Sequence, residues 1–226
     1  MLDSLFHRFE NIIILDVETS GFDPMRDEII ELAALKIHNR LGTPIFTSEL
    51  DLFIRLAEGR RLPQEITQLT GITEMQLERE GELKPTACEK FTQILDCSTP
   101  LIVAYNAQFD LRFIHYFLNN YGKADVLNTA KYLDALTVYK DRRPYPHTLK
   151  DAVRAYSLKS QNTHHAIDDV KATWELLCAM ENEFDDLVNY INLFGYNPKY
   201  GISGPKIDSV KYRPQPYNVS KKLYNQ

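Results

Sequence analysis

The strongest constraint on this chain is a strand that runs into acid. Residues 11–17, Asn-Ile-Ile-Ile-Leu-Asp-Val, form a β-branched run bounded by the turn residues Thr19, Ser20 and Gly21, the pattern of a strand buried on both faces. By the two-residue period of a strand, Ile12, Ile14, Asp16 and Glu18 share one face. Two carboxylates therefore continue an apolar face toward the interior, where an unpaired charge is costly.

The rest of the chain must build a sheet around that strand. Residues 29–37 and 45–55 read as a hairpin, with 39–44 as a loop longer than a tight turn. Helical patterning begins after Pro63. The run LIVAY (101–105) is a further strand, followed by a helix near 108–121, and later helices are expected near 148–156 and 166–183. A hairpin followed by alternating helices and strands predicts an α/β fold with a mixed sheet. Phe184, Leu187, Val188, Ile191 and Phe194 are spaced as one face of a last helix, with Gly195 as its cap. Four prolines (198, 205, 214 and 216) exclude long helices beyond it, so 196–226 reads as an extended arm. For 226 residues, the expected organisation is one domain over 1–183 with a C-terminal helix and arm over 184–226.

Two more acids face inward. Asp110 lies on the side of Phe113, Ile114 and Phe117, and Asp169 on the side of Ala166, Val170, Thr173, Trp174 and Leu177, whereas Asp168 lines up with Lys171 and Glu175. Taken singly, each acid suits a first helical turn, where a carboxylate meets unsatisfied N–H groups. Together with Asp16 and Glu18 they form a set whose like charges raise one another's pKa. An all-oxygen cluster suits a hard divalent cation, Mg²⁺ or Mn²⁺, and four carboxylates balance two such ions. A pair of these ions ~3.5–4 Å apart activates a water on one side of a phosphodiester and stabilises the leaving oxygen on the other. His164 and His165 precede Asp169 by five and four residues and offer a base for that water. Spacing alone leaves open which one serves, and a His-His pair in a loop also reads as exposed surface.

Apolar residues make up 44% and charged residues 25%, the proportions of a globular domain rather than of a linker or fibre. No apolar stretch approaches the ~20 residues that cross a bilayer, and the first ten residues lack the apolar core of a secretory signal. Cys88, Cys97 and Cys178 form no CxxC pair, as expected of reduced thiols in a cytoplasmic protein without membrane association. The net charge of −5 divides unevenly, with +5 on residues 195–226 and −10 on residues 1–194. The acidic body disfavours non-specific attraction to phosphate backbones. The basic arm and its five tyrosines either guide single-stranded nucleic acid or pack back on the body.

Three ordered blocks, ILDVETSG (14–21), NAQFDLRFI (106–114) and HHAIDDVKAT (164–173), resemble those of the DEDDh 3′–5′ exonucleases, the family of the proofreading epsilon subunit of bacterial DNA polymerase III. EIIELAALKI (28–37), LTGIT (69–73), LDALTVYK (133–140) and HTLKDAV (147–153) support the likeness, which covers about residues 10–182. The resemblance implies a ribonuclease H-like fold, a mixed sheet flanked by helices, with two divalent cations, Mg²⁺ or Mn²⁺, held by Asp16, Glu18, Asp110 and Asp169. Its third block has the form His-x-Ala-x-x-Asp, which makes His164 the general base. Thr19, Ser20, Gly21, Asn106 and Phe109 would hold the terminal nucleotide, and Leu69 and Ile72 would wedge against a base. The chain departs from the family at Tyr105, where many members carry histidine.

The implied activity is release of nucleoside 5′-monophosphates from the 3′ end of single-stranded or frayed DNA, in proofreading or repair, with a replicative polymerase subunit as a possible partner. The same chemistry on RNA 3′ ends is the nearest alternative, because residue pattern alone does not show whether the pocket accepts a 2′-hydroxyl. A non-catalytic module that binds nucleic acid or a polymerase is the alternative of a different class.

Overall fold

The structure, a computed structural model, describes residues 2–40, 43–160, 165–202, 206–217 and 221–226. In chain order its elements are α1 (Asp3–Phe6), β1 (Asn11–Thr19), β2 (Ile29–Arg40), β3 (Thr43–Phe53), α2 (Gln64–Thr70), α3 (Glu74–Glu80), α4 (Lys84–Leu95), β4 (Leu101–Ala104), α5 (Ala107–Asn119), β5 (Lys131–Asp134), α6 (Ala135–Lys140), α7 (Leu149–Ala155), α8 (Ala166–Glu183), β6 (Leu193–Tyr196) and β7 (Lys211–Pro214). The main sheet has the order β3-β2-β1-β4-β5. β1 and β2 pair antiparallel, as do β2 and β3, whereas β4 runs parallel to both β1 and β5. The sheet is mixed, as the hairpin implied.

β1 is the central strand, and its alternation divides the core. Ile12 and Ile14 pack on one side with Val170 and Leu177 of α8. Ile13, Leu15 and Val17 pack on the other with Phe91 of α4 and Phe113 and Ile114 of α5. A third cluster, Ile30, Leu62, Ile66, Ile72 and Leu77, lies with α2 and α3. Burying both faces explains why β1 and the first part of β2 are apolar at nearly every position. β3, at the edge, is largely exposed and mixes polar with apolar residues, Ile45 and Phe46 among the exposed ones.

Three expectations are corrected. The hairpin strands run further than the pattern implied, and Arg40 pairs directly with Thr43, so the connection is shorter than a 39–44 loop. The helix expected through 184–194 does not form. α8 stops at Glu183, Phe184 is extended, Leu187–Tyr190 form a single 3-10 turn, and the chain enters β6. Non-local pairing prevails over local spacing here: β6 runs parallel to β7, and Asn192 grips the edge of β5, accepting the Tyr132 N–H on Oδ1 and donating its own N–H to the Tyr132 carbonyl. Gly195 is therefore a strand residue rather than a cap, and a Cβ there would collide with the side chain of Gln215.

The C-terminal segment is packed on the body through a few residues. Gln215 and Leu223 are buried, and the Gln215 amide donates to the Thr137 carbonyl at 2.8 Å and to Asp141 at 2.7 Å. Tyr212 and Tyr224 pack inward, while Tyr200 and Tyr217 remain exposed. Among the described residues, no helix is long and apolar enough to cross a membrane.

Candidate active site

β1 delivers its acids at a defect in the ladder. Glu18 pairs with Glu31, but the register slips immediately afterward and Thr19 pairs with Ile29. A bulge at that point ends regular pairing and re-aims the strand end. On the same face as Ile12 and Ile14, Asp16 and Glu18 meet Asp169 from the first turn of α8. Among the described residues, ligand oxygens of these three all lie within 4.8 Å of one another. Asp169 is buried and Asp168 only half-buried, which makes Asp169 the inward member of the adjacent pair. Asp110, buried in the first turn of α5, is tied to β1 by the Val17 N–H, which donates to its Oδ1 at 3.1 Å.

Burial, reinforced by concentrated negative charge, sets the electrostatics. Burial first, then Asp110, Asp169, Glu18 and Glu31 in that order, hold the Asp16 carboxyl well above the usual carboxylate range. Burial, Asp169, Glu31 and Asp110 push Glu18 up to about 8. Burial likewise raises Asp110, opposed by the Val17 N–H. An acidic set that resists ionisation by itself has the all-oxygen composition and charge a hard divalent cation compensates, so the residues present fit such an ion.

A fifth acid is present that the sequence reading missed. Glu31 is almost fully buried, its Oε2 accepts the backbone N–H of Ala166 at 3.1 Å, and its Oε1 lies 3.5 Å from Nδ1 of His165. The signal was available: Glu31 shares a strand face with Ala33, Leu35 and Ile37, the same reasoning that singled out Asp16. Burial raises the Glu31 carboxyl, opposed by the Ala166 N–H and by His165. His164 lies outside the described residues. His165, next to it, is half-exposed at the N-cap of α8.

Beside the acids opens a cleft of about 240 Å³ lined by Glu18, Thr19, Gly21, Phe22, Ile66, Leu69, Thr70, Asn106 and Phe109. Of the expected nucleotide contacts, Thr19, Gly21, Leu69, Asn106 and Phe109 line it. Ser20 is buried and holds the loop, its Oγ accepting the Glu28 N–H at 2.9 Å. Ile72, expected to wedge against a base, has 0% of its surface exposed and packs beneath α2 and α3; its role is to support the shelf that carries Leu69. Phe22, which sequence reasoning passed over, is 78% exposed and meets the Phe109 ring edge-to-face at 6.4 Å. A ring exposed to this degree is available for stacking.

Backbone devices set the cleft's walls. Thr19 donates its hydroxyl to the Gly21 carbonyl at 2.6 Å, and a Cβ on Gly21 would run into the Asp27 carboxylate. Asn106 sits at φ 69°, a left-handed position that asparagine tolerates. Asp134 fixes that turn, Oδ1 accepting the N–H groups of Asn106 at 3.0 Å and Ala107 at 3.1 Å. Tyr105 turns its hydroxyl to the His147 carbonyl at 2.9 Å, where it anchors the following loop.

Comparison with known proteins agrees with this geometry. The family described as Exonuclease (RNase_T) matches residues 13–177. The chain is similar to the PolC-type DNA polymerase III of Thermotoga petrophila, 32% identical over 168 residues, which cover 73% of this chain and 12% of that protein. It is also similar to the 3′-5′ exonuclease DinG of Bacillus subtilis, 31% identical over 169 residues, covering 73% of this chain and 17% of that one. The chain thus spans less than a fifth of the length of these relatives. Among solved structures, E. coli Exonuclease I in complex with a dA16 oligonucleotide superposes with a TM-score of 0.71 at 18% identity, over 80% of this chain and 42% of that one. At that identity the likeness is one of fold, the ribonuclease H-like fold of exonuclease I. By its sequence match over most of its length, the chain belongs to the exonuclease family.

Proposed function

We propose that this protein is a divalent-metal-dependent 3′–5′ exonuclease that removes nucleoside 5′-monophosphates from single-stranded or frayed DNA ends. The observation that carries this reading is the convergence of Asp16, Glu18 and Asp169 within 4.8 Å, beside a cleft with an exposed aromatic wall. Asp16, Glu18, Asp110 and Asp169 hold the cations, Mg²⁺ or Mn²⁺. When bound, such ions polarise the phosphoryl oxygens and lower the pKa of a water. His164 accepts the proton of the attacking water, and hydrolysis of the terminal P–O3′ bond frees the mononucleotide and leaves a new 3′-hydroxyl. Phe22, Phe109 and Leu69 bracket the terminal base, contacts that tolerate any sequence. Thr19, Gly21 and Asn106 position its sugar and phosphate. A cytoplasmic setting, in proofreading beside a polymerase or in repair, fits the PolC and DinG likenesses.

The test uses matched 5′-labelled and 3′-labelled DNA and RNA strands with Mg²⁺, Mn²⁺ or EDTA, comparing wild type with Asp16→Ala. The expected result is a metal-dependent ladder from 5′-labelled DNA, mononucleotide from 3′-labelled DNA, and neither with the variant. Faster cleavage of RNA would reassign the substrate. Absence of cleavage of every strand would overturn the enzymatic reading.

A further inference from the structure

Outside the cleft, one exposed aromatic surface is built in a way the chemistry above does not require. Tyr145 is 65% exposed and Tyr217 41% exposed, and their rings meet at 5.1 Å. Both rest on the buried imidazole of His147, Tyr145 edge-on at 5.8 Å and Tyr217 stacked at 6.0 Å with an interplanar angle of 20°. The two tyrosines come from distant parts of the chain, one from the loop after α6 and the other from the C-terminal arm.

This ledge is tied to the acidic site. The His147 carbonyl accepts the Tyr105 hydroxyl. Tyr105 follows the end of β4 and directly precedes Asn106, which lines the cleft with Glu18. Tyr105 also packs with the core on the α8 side of the sheet, the face that carries Asp16 and Glu18. The arm that supplies Tyr217 is complementary to phosphate in charge: Lys211 and Lys221 on it are exposed, and residues 195–226 carry +5 against the −10 of the rest.

We propose that Tyr145 and Tyr217 form a stacking platform for unpaired bases of the nucleic-acid strand on the 5′ side of the end being hydrolysed. The inference rests on the nucleic-acid reading above and extends it to a second subsite. Exposed rings on a basic segment bind single strands without sequence preference, because every base offers a π-face and every link a phosphate. The arm's positive charge then compensates for an acidic body that would repel the trailing strand.

The test compares the full chain with Tyr145→Ala, Tyr217→Ala, the double variant and the corresponding Tyr→Phe variants. Anisotropy in EDTA measures affinity for labelled oligothymidylates of about 16 and about 4 nucleotides, the two ends of the usual site-size range. Turnover of the p-nitrophenyl ester of thymidine 5′-monophosphate, too short to reach the ledge, reads the active site alone. The expected result is a loss of about tenfold in long-strand affinity per alanine, within the stacking range, with retention in the phenylalanine variants and unchanged ester turnover and melting temperature. Long-strand affinity equal to wild type in the folded double variant would overturn the proposal, as would a parallel loss of ester turnover. If the wild type hydrolysed nothing, the exonuclease reading would fail, while the binding measurements would still decide the ledge.

Discussion

Oε2 of Glu31 accepts the backbone N–H of Ala166, so an acid on β2 closes the first turn of the helix that carries Asp169. Glu31 therefore acts as a positioning residue for the acidic cluster. Removing it orphans a buried N–H, which costs about 1–3 kcal/mol, and frees α8 to shift by tenths of an ångström. Glu31→Ala is expected to lower the melting temperature and weaken divalent-ion binding, and Glu31→Gln, which keeps the acceptor, to restore most of both. Calorimetric metal titration of the two variants checks this; equal metal affinity in wild type and Glu31→Ala would refute it.

Without metal, the acidic cluster makes stability fall as pH rises. Glu18 has its folded value raised to about 8 from an ordinary 4.5, and Asp16 and Asp110 move in the same direction. A raised folded value favours the fold while the proton is bound, and that contribution is lost as pH climbs through the folded value. In EDTA the melting temperature should therefore fall as pH rises from about 4.5, where the unfolded carboxyl ionises, to about 8, where the folded Glu18 does, and level off above it. A hundredfold excess of Mg²⁺ or Mn²⁺ over its Kd should stabilise the fold by about 2.7 kcal/mol, some 5–10 °C. A flat metal-free profile would contradict the burial of these groups.

Asp16→Asn should separate stability from activity. It removes one of several mutually repelling charges, so in EDTA at about pH 8 the variant should melt higher than wild type. Metal-dependent cleavage should fall by several orders of magnitude, and the thermal shift on adding metal should shrink. Differential scanning fluorimetry alongside the ladder assay reads both effects, and a variant that melts lower in EDTA would contradict the repulsion argument.

Phe22→Ala is expected to raise KM for single-stranded DNA about tenfold, the loss of one stacking partner, with a smaller change in kcat. The ring is largely exposed, so the melting temperature should stay within a degree or two. Steady-state kinetics on a short oligonucleotide decide the matter; an unchanged KM would remove Phe22 from the substrate wall.

What could be read in advance followed periodicity. The strand and helix periods placed Asp16, Glu18, Asp110 and Asp169 on interior faces, because burial of a repeating face is a local property of sequence. Glu31 obeyed the same rule but was hidden in a hairpin read only for its turn. Phe22 lies in a loop, where no period reports orientation, and Ile72 was drawn inward by the turn at Gly71, whose φ of 77° reverses the chain between α2 and α3. The 184–194 segment misled because its apolar spacing suits a helix equally well. Its fate depended on a partner strand some 18 residues away, Leu193 with Lys211, and such pairing leaves no trace in a local window.

Thr137 gives the C-terminal segment a reach beyond its own packing. Its hydroxyl donates to Asp134 at 2.6 Å and accepts the Gly195 N–H at 2.9 Å, while Asp134 fixes the turn at Asn106. A continuous line of hydrogen bonds thus runs from β6 to the wall of the cleft that Asn106 lines. Whatever pulls on the tail, whether a tethered strand or a fused partner, pulls on a turn in the wall of the cleft beside Glu18.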